Sequence, residues 1–210
     1  MKYPKKILLF VAAVAAVFII KSPVAFASAG KYSVVWGDTL WKIAVKYQVG
    51  TSELIAANPQ IKNPSLIYPG QVINIPDQTD IKTIELKVVD LVNKERVKRG
   101  LQPLKNNWQL ERVARYKSAD MINKSYFSHI SPTYGSPFTM IQDFGINFSS
   151  AGENIAMGQR TPEEVMNAWM NSPGHRSNIL SPSYTEIGVG YAKSSQGVAS
   201  WTQMFIKSLY

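Results

Sequence analysis

Thr161-Pro162-Glu163-Glu164-Val165-Met166-Asn167-Ala168-Trp169-Met170-Asn171-Ser172-Pro173-Gly174-His175-Arg176-Ser177-Asn178-Ile179-Leu180 is the stretch on which the fold turns. Its opening carries three helix-start signals: a Thr able to cap, a Pro at the first helical position, and a Glu three residues after the cap. Val165, Ala168 and Trp169 recur at helical spacing and predict a buried stripe, which Pro173-Gly174 ends. Downstream, Ile187-Gly188-Val189-Gly190-Tyr191-Ala192 and Val198 to Ile206 read as strands around a Ser194-Ser195-Gln196-Gly197 turn. Upstream, Ile84, Val88, Leu91 and Val92 share one face of a helix stopped by Lys98-Arg99-Gly100. Asn107 suits the cap of a second helix holding Leu110, Val113, Ala114 and Met121. Helices first and a hairpin last predict an α+β domain whose helices cover one or both sheet faces.

Before this domain lies a smaller unit, residues 32–76, separated from it by the polar joint Asp77-Gln78-Thr79-Asp80. Tyr32 to Trp36 is β-prone, and Gly37-Asp38 turns the chain. Leu40, Ile43, Ala44 and Tyr47 then lie at helical spacing. Thr51 or Ser52 is expected to cap a second helix running to Asn58. Asn63-Pro64 and Tyr68-Pro69-Gly70 are turn signals, and Gln71 to Ile75 alternates as a closing strand. The predicted order is β-α-α-β.

The first residues set the compartment. Lys2, Lys5 and Lys6 precede an apolar run of 14 residues, Ile7 to Ile20, and Ala25-Phe26-Ala27 is a small-x-small cleavage pattern. That is the layout of a secretory signal peptide over residues 1–27. At ~1.5 Å per residue the run spans about 21 Å, short of the roughly 30 Å hydrocarbon core. No later segment approaches membrane-spanning length, so no transmembrane helix is expected after cleavage. Four lysines (2, 5, 6 and 21) leave with the leader, taking the formal charge from +9 to +5. That modest surplus suits an anionic wall. Nucleic acid is not an expected partner: there is no zinc finger, RNP-like motif or long basic run. The absence of cysteine removes disulfides, thiol nucleophiles and thiolate metal sites together.

Two resemblances organise these readings. Tyr32-Ser33-Val34-Val35-Trp36-Gly37-Asp38-Thr39-Leu40-Trp41-Lys42-Ile43-Ala44 resembles the opening of a LysM domain. Asn58-Pro59-Gln60-Ile61 and Leu66-Ile67-Tyr68-Pro69-Gly70-Gln71-Val72-Ile73-Asn74-Ile75-Pro76 resemble its close. LysM modules bind N-acetylglucosamine-containing polymers, chiefly peptidoglycan in bacteria. The resemblance implies a groove between Gly37, Asp38, Thr39 and Leu40 on one side and Ile67, Tyr68, Pro69 and Gly70 on the other. Turn backbone groups would meet the acetamide, and Leu40, Ile67 or Tyr68 would wall the ring. Ile43, Trp41 and Ile67 equally suit the module's core.

The larger domain resembles the CAP, or SCP-like, superfamily in three patches. They are Tyr126-Phe127-Ser128-His129, Gly152-Glu153-Asn154-Ile155-Ala156, and Trp169 to Leu180 continuing to Glu186-Ile187-Gly188-Val189-Gly190-Tyr191. With Leu91-Val92-Asn93-Lys94-Glu95-Arg96 they span nearly the whole domain, and a bacterial, sporulation-associated branch is the nearest likeness. The resemblance implies an α-β-α sandwich. The expected organisation is a signal peptide at 1–27, LysM at 28–77 and CAP at 78–210, in a protein secreted to the cell wall or spore envelope.

The mature part holds only two histidines, His129 and His175, with Glu153 between them in sequence. Two imidazoles and a carboxylate have metal-ligand character, and an open fourth position would suit zinc. Many CAP domains line a cleft with two His and two Glu. Here the second Glu is absent, with Asn171 and Ser172 in its neighbourhood. Each residue also has a structural reading: His129 on a backbone carbonyl, His175 at a turn, Glu153 on loop N–H groups or Arg176. Tyr126, Phe127, Phe138, Met140, Phe144, Phe148 and Met157 suit either core or a lipid pocket. No H-E-x-x-H helix or G-x-S-x-G elbow occurs, and a second carboxylate for glycan hydrolysis would have to be Glu163, Glu164 or Glu186. Ser128, Ser131 and Ser177 are merely near the histidines in sequence.

The reading favours a non-catalytic CAP domain that binds a lipid or protein ligand while LysM holds the wall, with no cofactor required. The alternative is a metal-assisted hydrolase of wall peptides, with zinc on His129 and His175 and Glu153 as third ligand or general base.

Overall fold

The structure, a computed structural model, describes residues 30–209. The expected signal peptide therefore lies outside the described residues. Among those described, no helix is long and apolar enough to cross a membrane.

The smaller unit runs β1 (Gly30–Ser33), α1 (Leu40–Tyr47), α2 (Thr51–Ala56) and β2 (Val72–Ile75), the order expected. β1 and β2 pair antiparallel, with Tyr32 opposite Ile73. Thr39 starts α1 because its hydroxyl accepts the Lys42 N–H at 3.1 Å, satisfying a donor the helix itself cannot. The expected cap of α2 is corrected: Gly50 holds that position, no side chain serves it, and the helix stops at Ala56. Val34, Leu40, Ile43, Leu54 and Ile73 form the core. Asn58 is fully buried within it and is satisfied there: its amide donates to the Leu54 and Asn74 carbonyls and accepts from the Asn74 N–H.

The larger unit contains α3 (Thr79–Val97), β3 (Lys105–Asn106), α4 (Trp108–Asn123), α5 (Pro137–Asp143) and β4 (Phe148–Met157). It continues with α6 (Pro162–Asn171), α7 (Pro173–Ile179), β5 (Glu186–Lys193) and β6 (Ala199–Ser208). The sheet order is β3-β5-β6-β4, with β3 parallel to β5 and the other pairs antiparallel. One sheet face buries Met204 and Ile206 against Leu110, Val113 and Ala114 of α4. The other buries Ile187, Val189 and Trp201 against Val88 and Val92 of α3 and Val165 and Trp169 of α6. This is the α-β-α sandwich expected.

The glycines of β5 explain how closely α4 lies on the sheet. A Cβ at Gly190 would stand 2.0 Å from the Ala114 carbonyl carbon, and one at Gly188 2.3 Å from the Leu110 carbonyl carbon. Only a residue without a side chain permits that approach.

Three local readings change. Pro173-Gly174 does not simply end α6; Pro173 opens α7 after one intervening residue. Residues 148–157, including the Gly152-Glu153-Asn154 patch, form strand β4 at the sheet edge. The joint is shorter than expected, because α3 begins at Thr79, whose N–H donates to Asp77. The units touch directly: the Ser52 and Tyr116 hydroxyls lie 3.0 Å apart, and Lys82 Nζ donates to the Gln48 carbonyl at 2.8 Å.

Candidate functional site

Glu153 stands on β4 opposite Met204, so it shares the α4-facing side of the sheet, while Asn154 faces the other way. Its carboxylate Oε1 lies 2.7 Å from His129 Nδ1, and its side chain is only 2% exposed against 53% for His129. The second oxygen, Oε2, is buried with no hydrogen-bond partner among the described residues. Burial pushes the Glu153 carboxyl above its usual range, opposed by the His129 hydrogen bond and by the charges of Lys117 and His129.

The loop after α4 is built to present His129. Lys117, itself buried, donates from Nζ to the His129 carbonyl at 2.8 Å and stands 5.2 Å from the Tyr126 ring. Asp120 gathers three hydroxyls: Tyr126 at 2.7 Å, Ser131 at 2.7 Å and Thr133 at 2.6 Å. Burial pulls the Asp120 carboxyl upward, but those donors outweigh it and hold the group low. On the far side of β4, Asn154 donates to the His175 carbonyl at 3.1 Å. Asn178 donates to the Glu153 carbonyl at 3.2 Å and to Asn154 Oδ1 at 2.9 Å, fastening α7 to the strand. His175 is half-buried, and burial, then the like charge of His129, lowers its pKa.

The structure thus joins His129 directly to Glu153 and brings His175 within electrostatic reach of His129. It does not assemble a three-ligand metal centre: among the described residues no three His, Cys, Asp or Glu side chains gather as a cation requires. Of the three, only His129 and Glu153 are joined, through Nδ1 and Oε1. Arg176 does not pair with Glu153; it donates to the Met170 carbonyl. Each candidate second carboxylate is committed elsewhere. Glu164 accepts from the Arg160 N–H, Glu163 faces Lys87 at 3.6 Å, and Glu186 accepts from Asn107 at 2.6 Å. Ser131 binds Asp120, and Ser128 accepts from the Ile130 N–H. The apolar set divides: Met140 is core, whereas Tyr126, Phe127 and Met157 line an open cavity of about 400 Å³.

In the smaller unit, the Gly70 N–H donates to the Val34 carbonyl at 2.8 Å and the Val34 N–H to the Gln71 carbonyl at 2.9 Å. This clasp sets the Gly37 turn beside the Tyr68–Gly70 turn. Both glycines have positive φ, 87° and 84°. Asp38 is a structural anchor here, accepting from the Tyr32 hydroxyl and the Val35 N–H. Thr39 caps α1. Leu40 is corrected: it is 3% exposed and belongs to the core, so it offers no wall to a sugar. Ile67 packs partly on that core, while Tyr68 is exposed. Trp36 and Trp41, 92% and 63% exposed, are large aromatic surfaces: the sequence reading passed over Trp36, and the core place it allowed Trp41 is corrected. The phase of Leu40, Ile43 and Tyr47 already turned Trp41 off the buried face.

The chain belongs to the cysteine-rich secretory protein family (CAP), whose model matches residues 89–205, and a LysM domain matches residues 32–76. Among its relatives is the uncharacterized protein YkwD of Bacillus subtilis (strain 168), 57% identical over 128 residues, covering 61% of this chain and 49% of that protein. An extracellular SCP-domain protein from Bacillus anthracis superposes with TM-score 0.55 at 35% identity, covering 67% of this chain and 47% of that one. An outer surface protein of Borrelia burgdorferi shares the fold, with TM-score 0.56 at 22% identity, over 63% of this chain and 96% of its own. The chain spans about half the length of the curated relative it matches.

Proposed function

We propose that this is a secreted protein of the cell wall or spore envelope. LysM binds N-acetylglucosamine-containing glycan, and the CAP cleft binds a ligand or partner without turning it over. The glycan reading is supported by the Val34–Gly70 clasp, which sets two glycine turns side by side under exposed Tyr68, Trp36 and Trp41. Flat, rigid rings with adjacent backbone polar groups are the surface that a sugar ring and its acetamide call for.

The observation that carries the cleft reading is the His129–Glu153 pair with its unpartnered buried oxygen. A buried acceptor without a donor costs free energy, and a ligand hydroxyl, amide or ammonium would repay it. Hydrolysis of a glycan would need a second carboxylate, and Glu163, Glu164 and Glu186 all have other partners.

Two measurements test this. Incubation with muropeptides, with and without added zinc, should leave them intact. Metal-dependent cleavage that His129→Ala and Glu153→Gln both abolish would establish the hydrolase instead. Sedimentation with purified peptidoglycan should retain the protein, and Tyr68→Ala should weaken that about tenfold, or ~1.4 kcal/mol. Protein that stays in the supernatant would remove the wall anchor.

A further inference from the structure

The junction between the two units holds an open cavity of about 180 Å³, lined by Glu53 of α2, Gln78 of the joint, and Arg112, Arg115, Tyr116 and Ala119 of α4. Two arginines about one helical turn apart share this wall, and the fold treats them oppositely. Arg115 is fully engaged. Its guanidinium grips Glu85 through two nitrogens, reaches Glu111 at 2.8 Å and donates to Gln78 Oε1 at 3.0 Å. Arg112 has no hydrogen bond and no ion pair among the described residues, and its Nε is buried without a partner. It is held by rings alone, 5.2 Å from Phe144 and 5.9 Å from Tyr116. Ring contacts occupy the flat face of a guanidinium and leave its edge donors unspent. Across the cavity, the Glu53 carboxylate folds back over Gly50 at the start of α2, meets the Ser52 and Tyr116 hydroxyls, and has no cation within ion-pair distance among the described residues.

A guanidinium and a carboxylate therefore line one small cavity without reaching each other. Neither charge meets an opposite charge there, and the buried Arg112 Nε lacks a hydrogen-bond partner, which is costly unless something fills the gap. An anion alone would satisfy Arg112 and be repelled by Glu53. A group carrying both signs satisfies both. Ordinary ligand pockets run from roughly 300 to 1,000 Å³, so this one admits a head group and not a sugar chain.

We propose that the junction binds the zwitterionic head of a free amino acid or short peptide, its carboxylate on Arg112 and its ammonium on Glu53. The ligand's source alone rests on the wall-binding reading above, which puts amino acids and short peptides released from the wall within reach. Because one partner belongs to each unit, the bound head fastens LysM to the CAP domain and stabilises the docked arrangement by mass action.

The test is a titration of the full chain with alanylalanine, followed through the Nε–Hε resonances of isotope-labelled arginine. One arginine resonance should shift saturably, and Arg112→Gln should remove that resonance and the binding. N-acetylated and C-amidated dipeptide should each bind about tenfold more weakly, ~1.4 kcal/mol. Should Arg112→Gln fail to fold, Glu53→Gln reads the same site: it should erase the preference for the free amine. No saturable shift, or acetate binding as well as the dipeptide, overturns the proposal. Sedimentation with peptidoglycan is scored in parallel. Dipeptide binding without sedimentation defeats the wall reading and leaves this site standing; sedimentation without dipeptide binding does the reverse.

Discussion

Glu153 commits one oxygen to His129, while the other is buried with no hydrogen-bond partner among the described residues. A carboxylate whose folded pKa is raised by burial holds its proton more tightly folded than unfolded. Its contribution to stability is therefore complete below its unfolded value of 4.5 and is lost as pH rises through the folded value. Glu153→Gln should accordingly raise the urea midpoint at neutral pH, with the advantage shrinking toward pH 4.5. A variant less stable than the parent at neutral pH would mean that the His129 pairing outweighs burial. His175 runs in the opposite sense. Its folded pKa is lowered, so its share of stability is intact above its unfolded value of 6.5 and falls away as the solution is acidified. Its imidazole proton resonance should titrate below 6.5, and His175→Asn should flatten that part of the stability profile.

At the scale of elements, the contact between α4 and β5 is the most exacting. Gly190→Ala would drive a methyl into the backbone of α4, 2.0 Å from the Ala114 carbonyl carbon. The loss should reach about 3 kcal/mol by chemical denaturation, at the upper end of overpacking costs. A loss near zero would show that helix and strand can part. Thr161→Ala, which removes the cap of α6, should cost about 1 kcal/mol by the same measurement. These elements were legible in the sequence because their signals are local: Thr161-Pro162, Asn107, and the turn between β5 and β6 each act within a few residues. β4 was not legible, since Gly152-Glu153-Asn154 is polar by composition. Those residues are buried because His129, Asn178 and Gln203 come to them from elsewhere in the chain. The likeness in sequence named the three cleft residues but not the hydrogen bond that turns two of them into a pair. Leu40 and Trp41, by contrast, were separable in the sequence, as adjacent apolar residues that helix phase sends to core and to surface.

At the scale of the whole molecule, the two units meet directly through Ser52 and Tyr116 and through Gln48 and Lys82. Nothing in the sequence distinguished Arg112 from Arg115, because their difference depends on Glu85, Glu111 and Gln78 converging on one of them only. Weakening the docking with Lys82→Ala and Tyr116→Phe together should expose the joint at Asp77–Gln78 and speed its limited proteolysis about tenfold. An unchanged cleavage rate would mean that those contacts do not hold the units. The Lys82 contact also bears on the order of events when the chain is made. Gln48 closes α1 in a left-handed turn, φ 52°, and its carbonyl is received by a lysine 34 positions later in the chain. A chain that emerges amino end first presents both strands of the small module, β1 and β2, before that lysine is available. The LysM unit thus has both of its strands in hand just before the start of α3 brings the lysine that ties it to the CAP domain.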